Sequence, residues 1–206
     1  MKKIIFDLDN TLINFDSSYF EDYASVINGT LADGKKLYKI IGEYEKLYHL
    51  YDERELTNFI NSKMNYNYDS NLIDRLNYVI STRWIKGVPN GLDDVLYYLY
   101  QKYDLYVLTN WFTECQKRRL ENVNILKYFK EVVGNDKYLS KPNKDGYLHI
   151  IGNTNLCDVV MIGDNFDIDI KGANNVKIKS ILYDYQNVYG NVQNKIKDLR
   201  KLKEML

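Results

Sequence analysis

The fold is decided by the stretch Ile4-Ile5-Phe6-Asp7-Leu8-Asp9-Asn10-Thr11-Leu12, in which an apolar run leads directly into two acidic residues. The run up to Phe6 is short and carries two adjacent isoleucines, so it predicts a buried β-strand. Because side chains alternate between the faces of a strand, Asp7 and Asp9 would project to the same side. Two carboxylates at the end of a buried strand repel each other unless a cation or a proton joins them. The spacing therefore indicates a metal site, an acid–base pair or both, while a pair of solvated acids in a turn is the plainer interpretation.

The composition is that of an ordinary globular protein without a strong overall charge. The 206 residues are 45% hydrophobic and 27% charged, which suits one sizeable domain with a small insert. Basic and acidic residues balance at 28 each, which argues against nucleic acid or an anionic membrane as a partner. No apolar run approaches the roughly 18 residues that a membrane span needs. Cys115 and Cys157 lack a CxxC spacing, so we expect free core thiols and a cytoplasmic protein.

A block of helical patterns follows the first strand. Apolar residues recur at helical spacing in the ranges 16–29, 32–49, 54–64 and 70–85, with turn-forming residues between them. No convincing strand pattern occurs in this block. We therefore predict that residues 14–85 form a small all-helical domain inserted into a larger α/β domain of residues 1–13 and 86–206. The apolar stripes of its helices are expected to form core rather than a ligand surface.

In the remainder of the chain, strand patterns alternate with helical patterns. Strands are predicted at 105–108, 132–134, 158–162 and 179–183, and helices at 92–103, after Trp111, within 144–155, around Gly172 and at 192–206. This alternation predicts a doubly wound, Rossmann-like parallel sheet. The basic run Lys117-Arg118-Arg119 is interpreted as a solvated helix face.

Three of the predicted strands end in polar residues: Asp7-Leu8-Asp9, Thr109-Asn110 and Gly163-Asp164. In open α/β sheets, ligands bind beyond the carboxyl ends of the strands, near the point where the strand order reverses. We therefore expect these segments to converge on one site although they are far apart in sequence. Lys141 lies in a loop before the strand that delivers Asp164, and on its own it would be a solvated loop lysine.

These segments resemble the motifs of the haloacid dehalogenase-like hydrolase superfamily. Asp7-x-Asp9-x-Thr11 is similar to the first motif, Leu108-Thr109-Asn110 to the second, Lys141-Pro142 to the third and Gly163-Asp164-x4-Asp169 to the fourth. The four occur in the family's order, and the resemblance spans residues 3–183. The predicted helical insert resembles the helical type of cap domain found in this superfamily.

The resemblance implies a phosphatase with defined residue roles. Asp7 would be the nucleophile that forms an aspartyl-phosphate, and Asp9 would protonate the leaving alcohol and then activate water. Mg²⁺ would be held by the Asp7 carboxylate, the Asp9 backbone carbonyl and Asp164, with Asp169 supporting this shell directly or through water. The acid at position 9 argues against dehalogenation, because the dehalogenase branch lacks it. Asp167 is expected to be a solvent-facing or helix-capping acid.

Binding of the phosphate is assigned to neighbouring polar groups. A carboxylate that approaches a phosphate dianion is repelled by about 4 kcal/mol per unit-charge pair at 4 Å and an effective dielectric near 20. Lys141 and the metal would offset this repulsion. Thr109 would hold phosphoryl oxygens, and Asn110 would either do the same or shape the turn.

The sequence thus predicts a Mg²⁺-dependent phosphatase of small phosphorylated metabolites, such as a nucleotide or a sugar phosphate. A phosphomutase of the same architecture and a weakly active regulatory or binding module are the alternatives. Substrate choice is expected to lie in the helical insert and in its crossings near Asn14 and Lys86. Phe15-Asp16 resembles the same stretch in nucleoside monophosphate phosphatases of the superfamily, whereas a hinge aromatic and a helix-capping acid are the plainer interpretation.

Overall fold

A computed structural model describes residues 2–14, 18–84 and 87–206, so that Phe15-Asp16 and Lys86 lie outside the described residues. Within these ranges the chain forms one six-stranded sheet. The strands are β1 (Lys3–Phe6), β2 (Asp104–Leu108), β3 (Phe129–Val133), β4 (Val159–Gly163), β5 (Lys179–Tyr183) and β6 (Lys195–Ile196).

The spatial order of the strands is β3-β2-β1-β4-β5-β6, and every pair of neighbours is parallel. The chain builds β2 and β3 on one side of β1 and then returns to place β4, β5 and β6 on the other side. The strand order therefore reverses beside β1, where ligands of doubly wound sheets bind. The predicted parallel, doubly wound architecture is confirmed.

Nine α-helices accompany the sheet within the described ranges. Four follow β1, namely α1 (Tyr19–Val26), α2 (Leu31–Tyr48), α3 (Glu53–Met64) and α4 (Leu72–Arg83). The others are α5 (Leu92–Tyr100), α6 (Thr113–Asn122), α7 (Asp145–Ile151), α8 (Lys171–Asn175) and α9 (Leu202–Met205). A π-helical turn at Phe166–Ile170 precedes α8, and it positions one of the predicted site residues.

Apolar residues cover both faces of the sheet, as a parallel sheet requires. Along β1 the side chains alternate, because Ile4 and Phe6 belong to one core cluster and Ile5 to another. The first cluster includes the apolar face of α5 and residues of α9, and the second includes α7 and α8. The sheet is thereby held between helical layers, and its strand ends are left to form the site.

Helices α1–α4 pack mainly on one another around a third apolar cluster. Residues 18–84 contain no strand, as the helical spacing predicted. Helix α2 begins at a capping box in which Thr30 and Asp33 bond reciprocally, and it ends at His49 in the left-handed region (φ 59°). Trp111 and Phe112, which follow β2, pack into the same cluster and join it to the sheet.

The closing helix predicted at 192–206 is wrong. Ile196 instead pairs with Tyr183 as the last strand, and only a 3₁₀ turn at Leu199–Lys201 and the short α9 are helical. Asn194 adopts a positive φ of 58°, which interrupts any helix across this stretch. The apolar spacing arises because Ile196, Leu199 and Leu202 all reach the same core cluster.

The two cysteines differ in their surroundings. Cys115 is buried, as predicted, whereas Cys157 is exposed, so the expectation of a core thiol fails there. Burial raises the pKa of the Cys115 thiol to about 12, which makes it an inert, protonated group at neutral pH. Neither cysteine contributes to the acidic cluster described below.

Candidate active site

Strands β1 and β4 deliver one aspartate each to the point where the strand order reverses. Phe6 pairs in register with Ile162, and the Asp7 amide donates to the Ile162 carbonyl at 2.9 Å. Asp164 follows β4 directly, so both acids leave the sheet at nearly the same level. One carboxylate oxygen each from Asp7, Asp164 and Asp169 lies within 4.8 Å of the others. The structure therefore brings together the three acids that the sequence predicted would converge.

Asp169 reaches this cluster because the π-helical turn folds back over the end of β4. The Asn165 side chain accepts bonds from the Asp167 and Ile168 amides and so begins the turn. The backbone amide of Asn165 donates to Asp169 Oδ2 at 3.1 Å. A Cβ at Gly163 would lie 2.3 Å from Asp169 Oδ2, so only glycine allows this close approach.

Asp167 takes no part in the cluster. Its side chain is 73% exposed and pairs with Lys171 one helical turn later, at 2.6 Å. This agrees with the prediction of a solvent-facing acid. Neighbouring acids of one loop therefore have opposite surroundings, since Asp169 is 1% exposed.

Lys141 is buried against two of the three acids. Its ammonium nitrogen lies 2.5 Å from Asp7 Oδ1 and 2.7 Å from Asp169 Oδ1. Burial alone would lower the pKa of Lys141, but the Asp169 and Asp7 carboxylates outweigh it and raise that pKa. The ammonium therefore keeps its proton, and it can neutralise negative charge in the site.

The loop that carries Lys141 is held by the end of β2. Asn110 Oδ1 accepts from the Lys141 amide at 2.8 Å, and Asn110 Nδ2 donates to the Lys141 carbonyl at 3.1 Å. The same Nδ2 donates to Glu45 of α2 at 3.0 Å. Of the two roles predicted for Asn110, this arrangement corresponds to shaping the backbone.

When ionised, the three carboxylates around one ammonium would leave two negative charges in a largely buried site. Burial raises the pKa of Asp7, with Lys141 opposing and Asp169 adding to the rise, and burial also raises the pKa of Asp164. A divalent cation would remove this penalty. The donor atoms are hard carboxylate oxygens that all lie within 4.8 Å of one another, and such oxygens are the ligands that Mg²⁺ prefers. The residues therefore fit Mg²⁺.

Asp9 forms an ion pair with Arg119, a residue that was predicted to face solvent. Its Oδ1 lies 2.6 Å from Arg119, whose side chain is completely buried. Arg119 belongs to the basic run that was predicted to be a solvated helix face. Within this run Lys117 is half-buried and only Arg118 is exposed, because α6 turns Arg119 inward on the same face as Gln116 and Leu120. The signal for this was the i, i+3 and i+4 spacing of Gln116 and Arg119 with the apolar Leu120, which puts all three on one helix face.

A chain of side-chain hydrogen bonds continues from Arg119 to Thr109. Arg119 Nη1 donates to Gln116 Oε1 at 2.9 Å, and Gln116 Nε2 donates to Thr109 Oγ1 at 2.9 Å. Arg119 Nη2 also donates to the carbonyl of Trp84, which follows α4, at 3.0 Å. Thr109, predicted to bind phosphate, is thus connected to Asp9 through Gln116 and Arg119, two residues that were not assigned to the site from the sequence.

A cavity of about 380 Å³ lies between these polar residues and helices α1, α2 and α4. Its polar side contains all the predicted site residues: Asp7, Asp9, Thr109, Asn110, Lys141, Asp164 and Asp169. The helical block contributes an aromatic wall to this cavity, formed by Tyr19, Tyr23, Tyr38 and Trp84. Trp111, which follows β2, also lines the cavity. The apolar stripes of the helical block were expected to form core rather than a ligand surface, but Tyr19 and Tyr23 of one such stripe both pack on the core and line the cavity.

The aromatic wall is a connected set of rings. The Trp84 ring centroid lies 5.3 Å from that of Tyr19 and 5.2 Å from that of Tyr23, and Tyr19 lies 5.1 Å from Tyr38. Glu45 lies between this wall and the strand ends and accepts a hydrogen bond from Tyr51 at 3.0 Å. Such a cavity can bind a molecule with one anionic end and one flat, apolar end.

None of the helices in the described part of the chain is both long enough and apolar enough to cross a membrane.

Comparison with known proteins identifies a family and related folds. The family described as haloacid dehalogenase-like hydrolase matches residues 4–183. YfnB of Bacillus subtilis (strain 168), named as a HAD-hydrolase, is 25% identical over 192 residues, covering 84% of this chain and 79% of YfnB. The pyrimidine 5'-nucleotidase PynA of Streptococcus pneumoniae (strain ATCC BAA-255 / R6) is 27% identical over 216 aligned positions, covering 93% of this chain and 87% of PynA.

Solved structures show the same fold. A crystal structure of YfnB bound to magnesium aligns with a TM-score of 0.77 at 21% identity, covering 100% of this chain and 98% of the other. A 2-haloacid dehalogenase from Pseudomonas syringae pv. Tomato DC3000 aligns with a TM-score of 0.73 at 19% identity, covering 99% and 97%.

Proposed function

Because the chain belongs to the haloacid dehalogenase-like hydrolase family, and is therefore a hydrolase, we propose that it is a Mg²⁺-dependent phosphatase of small phosphate monoesters. The observation that carries the proposal is the contact of Lys141 with Asp7 and Asp169, beside Asp164, at the reversal of strand order. Burial of several carboxylates together costs free energy, and such clusters of perturbed acids are typical of functional sites. Asp9, two residues after Asp7, supplies a second acid that lines the same cavity.

In the proposed reaction, the Asp7 carboxylate attacks phosphorus and the bond to the leaving oxygen breaks. Asp9 gives its proton to that oxygen, and an aspartyl-phosphate forms on Asp7. Asp9, now ionised, takes a proton from water, and the hydroxide displaces Asp7 and releases phosphate. Lys141 offsets the repulsion between Asp7 and the phosphoryl oxygens, and Thr109 binds those oxygens.

The metal would be held by Asp7, Asp164 and the Asp9 backbone carbonyl, with Asp169 supporting them. When bound, Mg²⁺ supplies positive charge that draws the phosphate towards the nucleophile and stabilises charge on its oxygens. Support for this assignment comes from the oxygen donor set and from the two uncompensated negative charges.

A nucleoside monophosphate is our first choice of substrate. Its phosphate suits the acid–lysine end of the cavity, and its base suits the wall formed by Tyr19, Tyr23 and Trp84. The similarity to PynA, a pyrimidine 5'-nucleotidase, favours the same class. A sugar phosphate would use the phosphate end but would gain little from the aromatic wall.

We assign substrate choice to residues 14–85 as a helical cap domain, with 1–13 and 86–206 as the catalytic domain. Helices α1–α4 have their own apolar cluster, and they supply most of the cavity wall opposite the acids. Closure of such a cap would exclude water while the phosphoryl group is transferred.

A panel of nucleotides, sugar phosphates and p-nitrophenyl phosphate, with Mg²⁺ and with a chelator, tests this function. We expect hydrolysis that requires Mg²⁺ and is fastest with nucleoside monophosphates. Asp7→Asn should lower turnover by about 10³-fold or more, because the nucleophile is lost. Asp167→Asn is the matched control, since that acid lies in the neighbouring loop but faces solvent.

Unchanged activity in Asp7→Asn would refute the assignment. Slow phosphate release from simple esters, together with transfer between positions of a phosphosugar, would favour a phosphomutase of the same architecture. Lack of hydrolysis across the whole panel would favour a regulatory or binding module.

A further inference from the structure

We propose that Arg119 is a positioning residue for Asp9: it holds one carboxylate oxygen so that the other can exchange a proton with the leaving group. This inference rests on the proposed function. Arg119 lies outside the four sequence motifs, on α6, and it is among the largest completely buried side chains of the described residues.

Burial of the Arg119 guanidinium is costly, and contacts of its two Nη atoms offset part of that cost, while the buried Nε has no hydrogen-bond partner among the described residues. Its Nη atoms contact Asp9 Oδ1 at 2.6 Å, Gln116 Oε1 at 2.9 Å and the Trp84 carbonyl at 3.0 Å. These contacts come from the strand end, from α6 and from the end of α4. Gln116 and the Trp84 carbonyl fix the plane of the guanidinium independently of Asp9, and the guanidinium in turn fixes the position of the Asp9 carboxylate.

The two oxygens of Asp9 are thereby made unequal. Oδ1 is buried against Arg119, while the Asp9 side chain as a whole remains 33% exposed and lines the cavity. This arrangement leaves Oδ2 for proton transfer. A freely rotating carboxylate would present either oxygen in many orientations, and proton transfer depends on hydrogen-bond distance and alignment.

The pairing also stabilises the charge that the reaction creates. When the bond between phosphorus and the leaving oxygen breaks, the proton of Asp9 passes to that oxygen and Asp9 becomes a carboxylate. The guanidinium, which lies 2.6 Å from Asp9 Oδ1, is already in place where this negative charge forms. Arg119 therefore assists the first chemical step without touching substrate.

Leaving-group dependence separates this role from a merely structural one. p-Nitrophenolate leaves without protonation, whereas the alkoxide of an alkyl phosphate needs a proton from Asp9. Since kcat/KM reports phosphoryl transfer to Asp7, loss of a positioned acid should affect the alkyl ester selectively. Loss of folded protein, or a general distortion of the site, would lower kcat/KM for both substrates equally.

The experiment compares p-nitrophenyl phosphate with the alkyl phosphate that the wild type hydrolyses best. We expect Arg119→Gln to lower kcat/KM for the alkyl ester by about 10²-fold or more, the usual contribution of general acid catalysis, and for the aryl ester by less than about 10-fold. Asp9→Asn should show the same split, and the double variant should show no additional split. Arg118→Gln, the exposed neighbour on α6, is the matched control for removal of one charge.

Equal losses on both substrates, or no loss at all, would overturn the positioning role. If Arg119→Gln does not fold, as judged by circular dichroism and thermal melting, Arg119→Lys decides the question, since it keeps the charge but lacks the planar fork. A selective loss on the alkyl ester in that variant supports the role, and a uniform or absent loss refutes it. A wild type without phosphatase activity would overturn the proposed function itself and this inference with it.

Discussion

Lys141 is a buried cation whose ammonium group contacts two carboxylates, Asp7 and Asp169. At the scale of single residues, this contact has two consequences. In the metal-free protein it lowers the cost of burying the acids, and in the proposed reaction it offsets the approach of a phosphate. Lys141 should therefore matter for folding as well as for activity.

We predict that Lys141→Met destabilises the metal-free protein by about 3 kcal/mol or more, because breaking a buried ion pair leaves uncompensated charge. Turnover should fall in parallel. Urea denaturation in the presence of a chelator measures the loss. Lys144→Met removes an exposed lysine a few positions along the same loop and should leave the midpoint nearly unchanged. Equal stability of the two variants would contradict the assigned role of the contact.

At the scale of secondary-structure elements, four strands (β1, β2, β4 and β5) and the long helices could be predicted because each has an apolar run or a sustained apolar period. Strand β3 was predicted at 132–134 but spans Phe129–Val133, because its first half carries the exposed pair Lys130-Glu131. Strand β5 was predicted with its observed limits, and α2 and α3 to within about one residue at each end. The closing segment could not be predicted, because Ile196, Leu199 and Leu202 imitate a helical period while they reach the core from a strand, a 3₁₀ turn and a short helix.

Glu45 shows how α2 is coupled to the end of β2. Burial raises the pKa of its carboxyl, although hydrogen bonds from Tyr51 and Asn110 oppose the rise. The folded protein therefore binds this proton more tightly than the unfolded chain does. By linkage, ionisation of Glu45 costs stability as pH rises above the ordinary Glu range of about 4.3.

We predict that Glu45→Gln gains stability relative to the wild type as pH increases from about 4 to 8, since glutamine cannot ionise. The free energy of unfolding at a series of pH values measures the difference between the two proteins. Glu43→Gln, on the exposed side of the same helix, is the control and should show no such trend. A difference that stays constant with pH would show that the buried carboxyl does not titrate in this range.

At the scale of the whole molecule, the reversal of strand order beside β1 accounts for the location of the site. The meeting of Asp7 and Asp164 could be predicted from the sequence, because polar residues that directly follow buried parallel strands emerge at the same edge of the sheet. The contacts of Arg119 and Glu45 could not be predicted. Both residues bind partners on elements that are far apart in the sequence. An arginine in a basic run is typical of a surface, so its burial cannot be inferred before its partner is known.

A bound cation should stabilise the entire fold, since it links residues that follow β1 and β4. At Mg²⁺ concentrations about 100 times the dissociation constant, the expected gain is about 2.7 kcal/mol, or roughly 5–10 °C in Tm for a chain of this size. Differential scanning calorimetry with Mg²⁺, and with K⁺ at equal ionic strength, measures this shift. Asp164→Asn should remove most of it, and an equal shift in that variant would exclude Asp164 as a ligand.

Two hydrogen bonds join the Asn110 side chain to the main chain of Lys141, and they limit which segments of this protein can be exchanged with those of a relative. In a chimera that takes the segment around Lys141 from a relative, the main-chain amide and carbonyl at that position need the side chain that follows β2 as their partner. Grafting that segment alone would leave both groups unsatisfied whenever the host lacks a carboxamide at the tip of β2. The smallest transferable unit therefore consists of two pieces that are 31 positions apart in the chain.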